Sequence, residues 1–322
     1  MKFFRQIAIA LAASVCAFGA ASQTYPDRPI RIVVPFPAGG GTDSLTRLIA
    51  NAATTKYGWT VVVENKPGAG GNLALDTVAK AKPDGYTLVM AQTDNAVLNP
   101  LLYSKLPYDP IKDFEPIGTI ARGAAVLVVK ADSPYKSLAD IVAAAKAKPG
   151  VLTFASPGTG TVAHLIEQLW EGASGIKLTH VPYRGVAQAL PDLIGGQVDM
   201  YMGSVPTMQS HIEGGKVRAL GVTSGQRSSV LKTVPTYTEA GIKGVELASV
   251  WGLMAPAGTP KTVIDKWNAA INELVVQADV RQKILDSGGE IIAGTPRQMA
   301  EQYAADRNKL APVVQKANIK LD

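Results

Sequence analysis

The chain has 322 residues, 47% of them hydrophobic, with a formal net charge of +6 and a single cysteine. Its lysines and arginines are scattered and aromatics make up only 6%, which argues against a nucleic-acid partner. Cys16 falls in the N-terminal leader, so the mature chain has no disulfide, thiolate metal site or cysteine nucleophile.

Lys2 and Arg5 precede an apolar stretch over 7–18 that is too short to span a bilayer, and the small residues Gly19-Ala20-Ala21-Ser22 follow. This predicts a signal peptide over 1–22, cleaved on export. Its loss removes two positive charges and no acidic one, taking +6 to +4, a mild long-range preference for anions. The roughly 300 residues that remain suffice for two cores.

Strand-like and helix-like runs then alternate. A buried strand at 30–34 leads through Pro35-Phe36-Pro37-Ala38-Gly39-Gly40-Gly41-Thr42-Asp43 into a helix with Leu45, Leu48, Ile49 and Ala52 on one face. A strand at 60–64, a glycine-rich loop at 65–71, a helix over 73–81 and a strand at 86–90 complete the first series. Such alternation predicts a parallel, doubly wound sheet. A proline-rich passage over 99–116 interrupts it.

A second series follows, with strands at 124–129, 151–154, 178–181, 198–202 and 217–222. It contains a second glycine-rich loop, Ser156-Pro157-Gly158-Thr159-Gly160-Thr161, which opens a helix with Val162, Leu165, Ile166 and Leu169 on its apolar face. After a strand over 247–254, Val263, Ile264, Trp267, Ile271, Leu274 and Val275 form the stripe of a C-terminal helix. The C-terminal helices have no strands of their own, so they are expected to return to the first lobe. That makes lobe 1 discontinuous (23–123 plus 249–322), with lobe 2 at 124–248 and two segments crossing between them.

The chemistry follows from the two loops. A helix N-terminus carries unpaired N–H groups and the positive end of the dipole, and glycine lets a ligand approach the backbone closely. One such loop in each lobe predicts a grip on a small anion, and a carboxylate fits two or three such donors. Neither loop spells a phosphate or dinucleotide fingerprint. His164, His180 and His211 match no catalytic or metal spacing, so no catalytic residue, metal or cofactor is expected. Strand ends add Thr93-Asp94-Asn95, Tyr183-Arg184-Gly185, Asp199 and Gly203-Ser204 as cleft candidates, with Phe36 and Trp251 as apolar walls.

The residues also resemble a specific family, the Bug family of periplasmic solute-binding proteins of tripartite tricarboxylate transporters. The resemblance lies in Tyr25-Pro26-Asp27-Arg28-Pro29-Ile30, the loop Pro35 to Asp43, Glu64-Asn65-Lys66-Pro67-Gly68-Ala69-Gly70-Gly71, Asn99-Pro100-Leu101-Leu102-Tyr103 and Leu106-Pro107-Tyr108-Asp109. It continues in His180-Val181-Pro182-Tyr183-Arg184-Gly185, Asp192-Leu193-Ile194-Gly195-Gly196-Gln197-Val198-Asp199, Trp251-Gly252 and Ala255-Pro256-Ala257-Gly258-Thr259-Pro260. It covers essentially the whole mature chain.

The resemblance implies an α/β, two-lobed flytrap, each lobe a sheet flanked by helices, that holds a ligand carboxylate between the two loops. It implies a monomer in the periplasm that delivers its ligand to a membrane permease, or reports it to a membrane sensor. An exported enzyme acting on a carboxylic acid is the remaining alternative. The expected contacts are Phe36, Ala38, Gly39, Gly40, Thr42, Asp43, Ala69, Thr93, Asn95, Ser156, Gly158, Thr159, Gly160, Thr161, Tyr183, Asp199 and Ser204. Two departures stand out: Pro157 removes a backbone donor from the second loop, and Val186-Ala187-Gln188-Ala189 replaces a proline-containing stretch.

Overall fold

The computed structural model describes residues 25–317, 320 and 321; the expected signal peptide and Cys16 lie outside them. Strand β1 (Ile30–Val34) runs between β2 (Val61–Asn65) and β3 (Thr87–Gln92), parallel to both. Ile30 and Ile32 bury in one core and Val33 in another. A strand covered on both faces favours apolar residues on each, which is why β1 reads as a nearly continuous run, broken only by the half-buried Arg31 that pairs with Glu64. The covers are α1 (Gly41–Tyr57), with Ile49 and Ala53 on the Ile30 side, and α2 (Asn72–Ala79), with Leu75 and Val78 on the Val33 side.

A π-helical turn (Asp94–Leu98) and the short α3 (Asn99–Leu102) lead to β4 (Phe114–Lys130). Next come α4 (Leu138–Ala147), β5 (Thr153–Ser156), α5 (Val162–Ser174), β6 (Thr179–Pro182), α6 (Val186–Ile194), β7 (Met200–Ser204), α7 (Val205–Glu213) and β8 (Val217–Val222). Strand β5 lies between β6 and β7, parallel to both. Along β4, Val126 and Val128 face one core while Leu127 and Val129 face the other.

The expectation of a wholly parallel sheet is corrected at its centre. With β9 at Ala248–Pro256, the strand order is β2-β1-β3-β9-β4-β7-β5-β6, with β8 and β10 (Glu290–Ile291) also on β4. Strand β9 is antiparallel to β3 and to β4, and β4 is antiparallel to β7 and β8. Topology forces this. Strand β4 carries the chain out of the first series of strands and β9 brings it back, so neighbours in the sheet must oppose. Strand β4 pairs with β9 from Phe114 to Ala124, and with β7 from Ala125.

Helices α8 (Lys261–Leu274) and α9 (Ala278–Asp286) return to the first set of strands, as expected. Trp267 is fully buried there and meets Trp59 edge to face at 5.0 Å. Helix α10 (Pro296–Ala317) departs from the expectation, because it lies across β4 and also touches α5. Its Met299, Tyr303, Leu310 and Val314 join a core shared with Leu127, Phe154 and Trp170. Among the described residues no helix is long and apolar enough to cross a membrane.

Candidate ligand-binding site

The first glycine-rich loop is set by Asp43, which sits in the opening turn of α1 and is only 3% exposed. Its carboxylate accepts the Gly39 N–H at 2.9 Å, the Asn65 amide at 2.9 Å and the Arg47 guanidinium at 3.0 Å. Asn65 also donates to the Phe36 carbonyl at 3.0 Å. Burial would raise the Asp43 pKa, but the bonds from Arg47, Gly39 and Asn65 outweigh it and hold the carboxyl below its ordinary range. Asp43 is therefore placed as a brace of the loop, not on the cavity wall.

Helix α1 has no side-chain cap. Its Gly41 N–H instead donates to Thr207 Oγ1 of α7 at 2.9 Å, across the gap between the two sets of strands. A Cβ at position 41 would lie 2.8 Å from that oxygen, so the approach requires glycine. Thr42 Oγ1 donates to Gln92 Oε1 and accepts the Trp251 indole N–H at 2.9 Å.

The second loop mirrors the first. Thr161 caps α5, accepting from the His164 N–H, and donates to the Gly158 carbonyl at 2.8 Å. The Val162 N–H, at the start of α5, donates to Asp94 Oδ1 at 2.6 Å, again across the gap. Gln92 Nε2 donates to the other Asp94 oxygen. Asp94 is 2% exposed; burial raises its pKa on balance, and the Val162 and Gln92 donors offset only part of that.

Both helix starts border one cavity of about 90 Å³. A water needs on the order of 10–15 Å³ of such space, so the cavity suits a small molecule. Of the expected contacts, Phe36, Ala38, Gly40, Thr42, Thr161 and Ser204 line it, and Trp251 supplies a wall. Sequence reasoning missed Gln92, Tyr201, Thr207 and Ser249, and named Asp94 only as one of a strand-end trio. For Gln92 and Asp94 the usable signal was position, since they end and follow β3.

The other expected contacts lie elsewhere. Gly39 is tied to Asp43, and Ala69 is exposed in its own turn. Thr93 accepts the Val250 N–H at 2.9 Å and borders a separate polar groove. Asn95 is fully buried and accepts the Gln92 N–H at 3.1 Å. Ser156, Gly158, Thr159 and Gly160 shape the second loop without lining the cavity. Tyr183 donates to Asp192 at 2.7 Å. Arg184 is exposed, so it too is off the wall. Asp199 is a correction of placement: it precedes β7, at the opposite strand end from Ser204, and accepts from the Thr153 N–H and hydroxyl, each at 2.8 Å.

A buried cluster braces the second loop. His180 Nε2 meets Ser156 Oγ at 2.7 Å, and His164 Nδ1 accepts the Gly160 N–H at 3.2 Å. Glu167 lies beside them, fully buried, with neither carboxyl oxygen hydrogen-bonded. Burial and the nearby Glu171 push Glu167 up to about 8, while burial pulls His164 and His180 down to about 4. The trio is thus uncharged at neutral pH. Each offers a potential metal-ligand atom within 4.8 Å of the others. However, the imidazoles stack at 4.1 Å with planes 9° apart. The lone pairs of parallel rings lie in separate planes and do not converge on one ion, so this arrangement acts as a brace.

The model of the tripartite tricarboxylate transporter family receptor matches residues 45–319. Solved structures agree along nearly the whole chain. The periplasmic binding protein BugD is similar at 33% identity and a TM-score of 0.87, covering 92% of this chain and 99% of that one. Rpa4515 of R. palustris, solved with adipate, is similar at 34% identity and 0.89, again over 92% and 99%. MatC of Rhodopseudomonas palustris, solved with malate, is similar at 32% identity and 0.85, over 90% of this chain and all of that one.

Proposed function

Because the chain belongs to the tripartite tricarboxylate transporter receptor family, we propose that it captures a small carboxylic acid between two lobes and hands it to a membrane permease of the tripartite type. The observation that carries this reading is the pair of helix starts, α1 and α5, bordering one small cavity from opposite sides. Each presents main-chain N–H groups and a positive dipole end, the environment that favours a carboxylate over water, although one N–H at each start, Gly41 and Val162, is already taken within the chain. The bound adipate and malate of Rpa4515 and MatC support the same class of ligand.

The lobes in this reading are residues 23–123 with 249–322, and residues 124–248. The boundary between Gly123 and Ala124 is supported by the nearby exchange of partners on β4, which pairs with β9 up to Ala124 and with β7 from Ala125. Ligand contacts on both sides stabilise the closed state over the open one, which is how binding becomes a signal to a partner. Phe36, Ala38, Gly40, Thr42, Thr161 and Ser204 are the contacts, joined by Gln92, Asp94, Tyr201, Thr207, Ser249 and Trp251. The protein acts as a monomer in the periplasm after loss of residues 1–22, without a cofactor or a covalent step.

Thermal-shift measurements on the mature protein with mono-, di- and tricarboxylates test this. At least one acid should raise the melting temperature in a concentration-dependent way, because a ligand that binds only the folded state stabilises it by mass action. No shift with any carboxylate at millimolar concentration overturns the proposal.

A further inference from the structure

The proposed capture of a carboxylate leaves open what the rest of the ligand carries, and the cavity wall bears on that directly. Among the described residues that line it, Asp94 is the one charged side chain; no lysine, arginine or histidine reaches it. The remaining polar groups are hydroxyls and amides, including Thr42, Gln92, Ser204, Thr207 and Ser249. A ligand with two carboxylates would need a second anion site, and the natural one is already filled. At the start of α5 the Val162 N–H is taken by the chain's own Asp94, which stands a carboxyl group where a second ligand carboxylate would go.

Asp94 is held as an acceptor. One oxygen takes a main-chain N–H and the other takes an amide N–H, so neither bond calls for a proton on the carboxyl. Each carboxylate oxygen can accept a second bond. The site therefore pairs a helix start at α1 with a carboxyl group at α5 that both of its bonds hold as an acceptor, against the burial that raises its pKa. Facing an ionised Asp94, which is only 2% exposed, a second ligand carboxylate meets a like charge that solvent screens poorly. An ammonium there gains a partner.

Resting on the capture reading, we infer that the ligand is a small amino monocarboxylate, with its carboxylate toward the loop over 35–43 and its ammonium toward Asp94, and not a di- or tricarboxylate. The apolar surfaces of Phe36, Trp251, Tyr201 and Val186 are left to pack its carbon skeleton.

Titration calorimetry on the mature protein separates the possibilities. The probes are glycine, alanine, leucine, phenylalanine and 4-aminobutanoate, against butanoate, succinate, malate and adipate. The expected result is at least one amino acid binding tenfold or more tighter than every dicarboxylate. Asp94→Asn keeps the shape and an acceptor for Val162 but removes the charge. It should weaken that amino acid at least tenfold and improve succinate or malate, with a thermal melt confirming that the variant folds. Succinate, malate or adipate binding the wild type more tightly than all the amino acids overturns this inference and leaves the capture of a carboxylate standing. The wild-type panel decides this even if Asp94→Asn fails to fold. Binding by no probe in either group removes the capture reading, and this inference with it.

Discussion

The two glycine-rich loops occupy equivalent places at the starts of α1 and α5, yet they are braced by opposite kinds of chemistry. The first is held by ionised groups, with Asp43 gathering Gly39, Arg47 and Asn65. The second is held by neutral ones, His164 and His180 against Gly160 and Ser156, with uncharged Glu167 beside them. The gap-spanning contacts differ in the same sense: a hydroxyl, Thr207, meets α1, whereas a carboxylate, Asp94, meets α5. Equivalent sequence patterns at a helix start thus say where an anion can sit, but not whether a ligand or the protein supplies it.

Four substitutions sharpen or break this contrast. The largest effect is expected for Asp43→Ala, which strands three donors of the first loop. Each lost hydrogen bond contributes about 0.5–1.5 kcal/mol, more at a charged group, so a loss of roughly 2–4 kcal/mol should appear in urea unfolding, together with weaker ligand binding. Stability within about 0.5 kcal/mol of wild type would show that Asp43 is no brace.

Next is Gly160→Val. Gly160 has φ +80°, and a Cβ there would approach Leu321 Cδ1 to 2.5 Å. Strain and overpacking should cost roughly 1–3 kcal/mol, read as a fall in Tm that Leu321→Ala partly restores. An unchanged Tm would show that the C-terminal contact is not held in solution.

The third prediction separates the braces by pH. Asp43 has a lowered pKa, so its contribution is present above its ordinary 3.8 and lost as pH falls below it. His164 and His180, lowered from 6.5 to about 4, contribute above 6.5 and lose that contribution as pH falls toward 4. Glu167, raised from 4.5 to about 8, contributes fully below 4.5 and loses its contribution as pH rises through 8. Glu167→Gln stays neutral, so its Tm relative to wild type should climb between pH 4.5 and 8. A constant difference across that range would mean that Glu167 is ionised throughout.

The smallest effect on folding is expected for Gly40→Ala. Its φ of −80° suits any residue, and the nearest neighbour of an added Cβ is the Pro37 carbonyl at 3.7 Å. Stability should change by no more than about 1 kcal/mol, while calorimetry should record weaker binding of whichever acid the thermal screen identifies. Equal affinity would remove Gly40 from the wall.

Much of this was legible in the residues. The runs Ile30–Val34 and Val217–Val222, the apolar stripe from Val263 to Val275 and both glycine-rich loops announce themselves through local periodicity. The first half of β4 did not, because Pro116, Gly118, Arg122 and Gly123 break its pattern and register shifts accompany them. Asp199 lies at the starting end of β7 whether that strand is read at 198–202 or at Met200–Ser204, so strand direction argued against it as a cleft candidate. The bond from Val162 to Asp94 joins residues 68 apart in sequence, and the brace couples α5 to a histidine on β6. Only the closed chain brings such groups together.

The paired strands β4 and β9 also constrain how the molecule can move. Their rungs run from Phe114–Pro256 to Ala124–Ala248, with register shifts between Pro116 and Gly118 and between Thr119 and Ala121, and stop where β4 takes up β7. Past Trp251, where β9 leaves β3, the ladder narrows toward its last rung, and a narrow ladder resists stretching along its strands but yields to bending and twist. Under the proposed capture reading, separation of the halves would be a flexing about the last rung, with the backbone pairs below it kept, rather than a sliding of one half past the other. A cross-link between Arg122 and Val250, partners inside the ladder, should leave that flexing free.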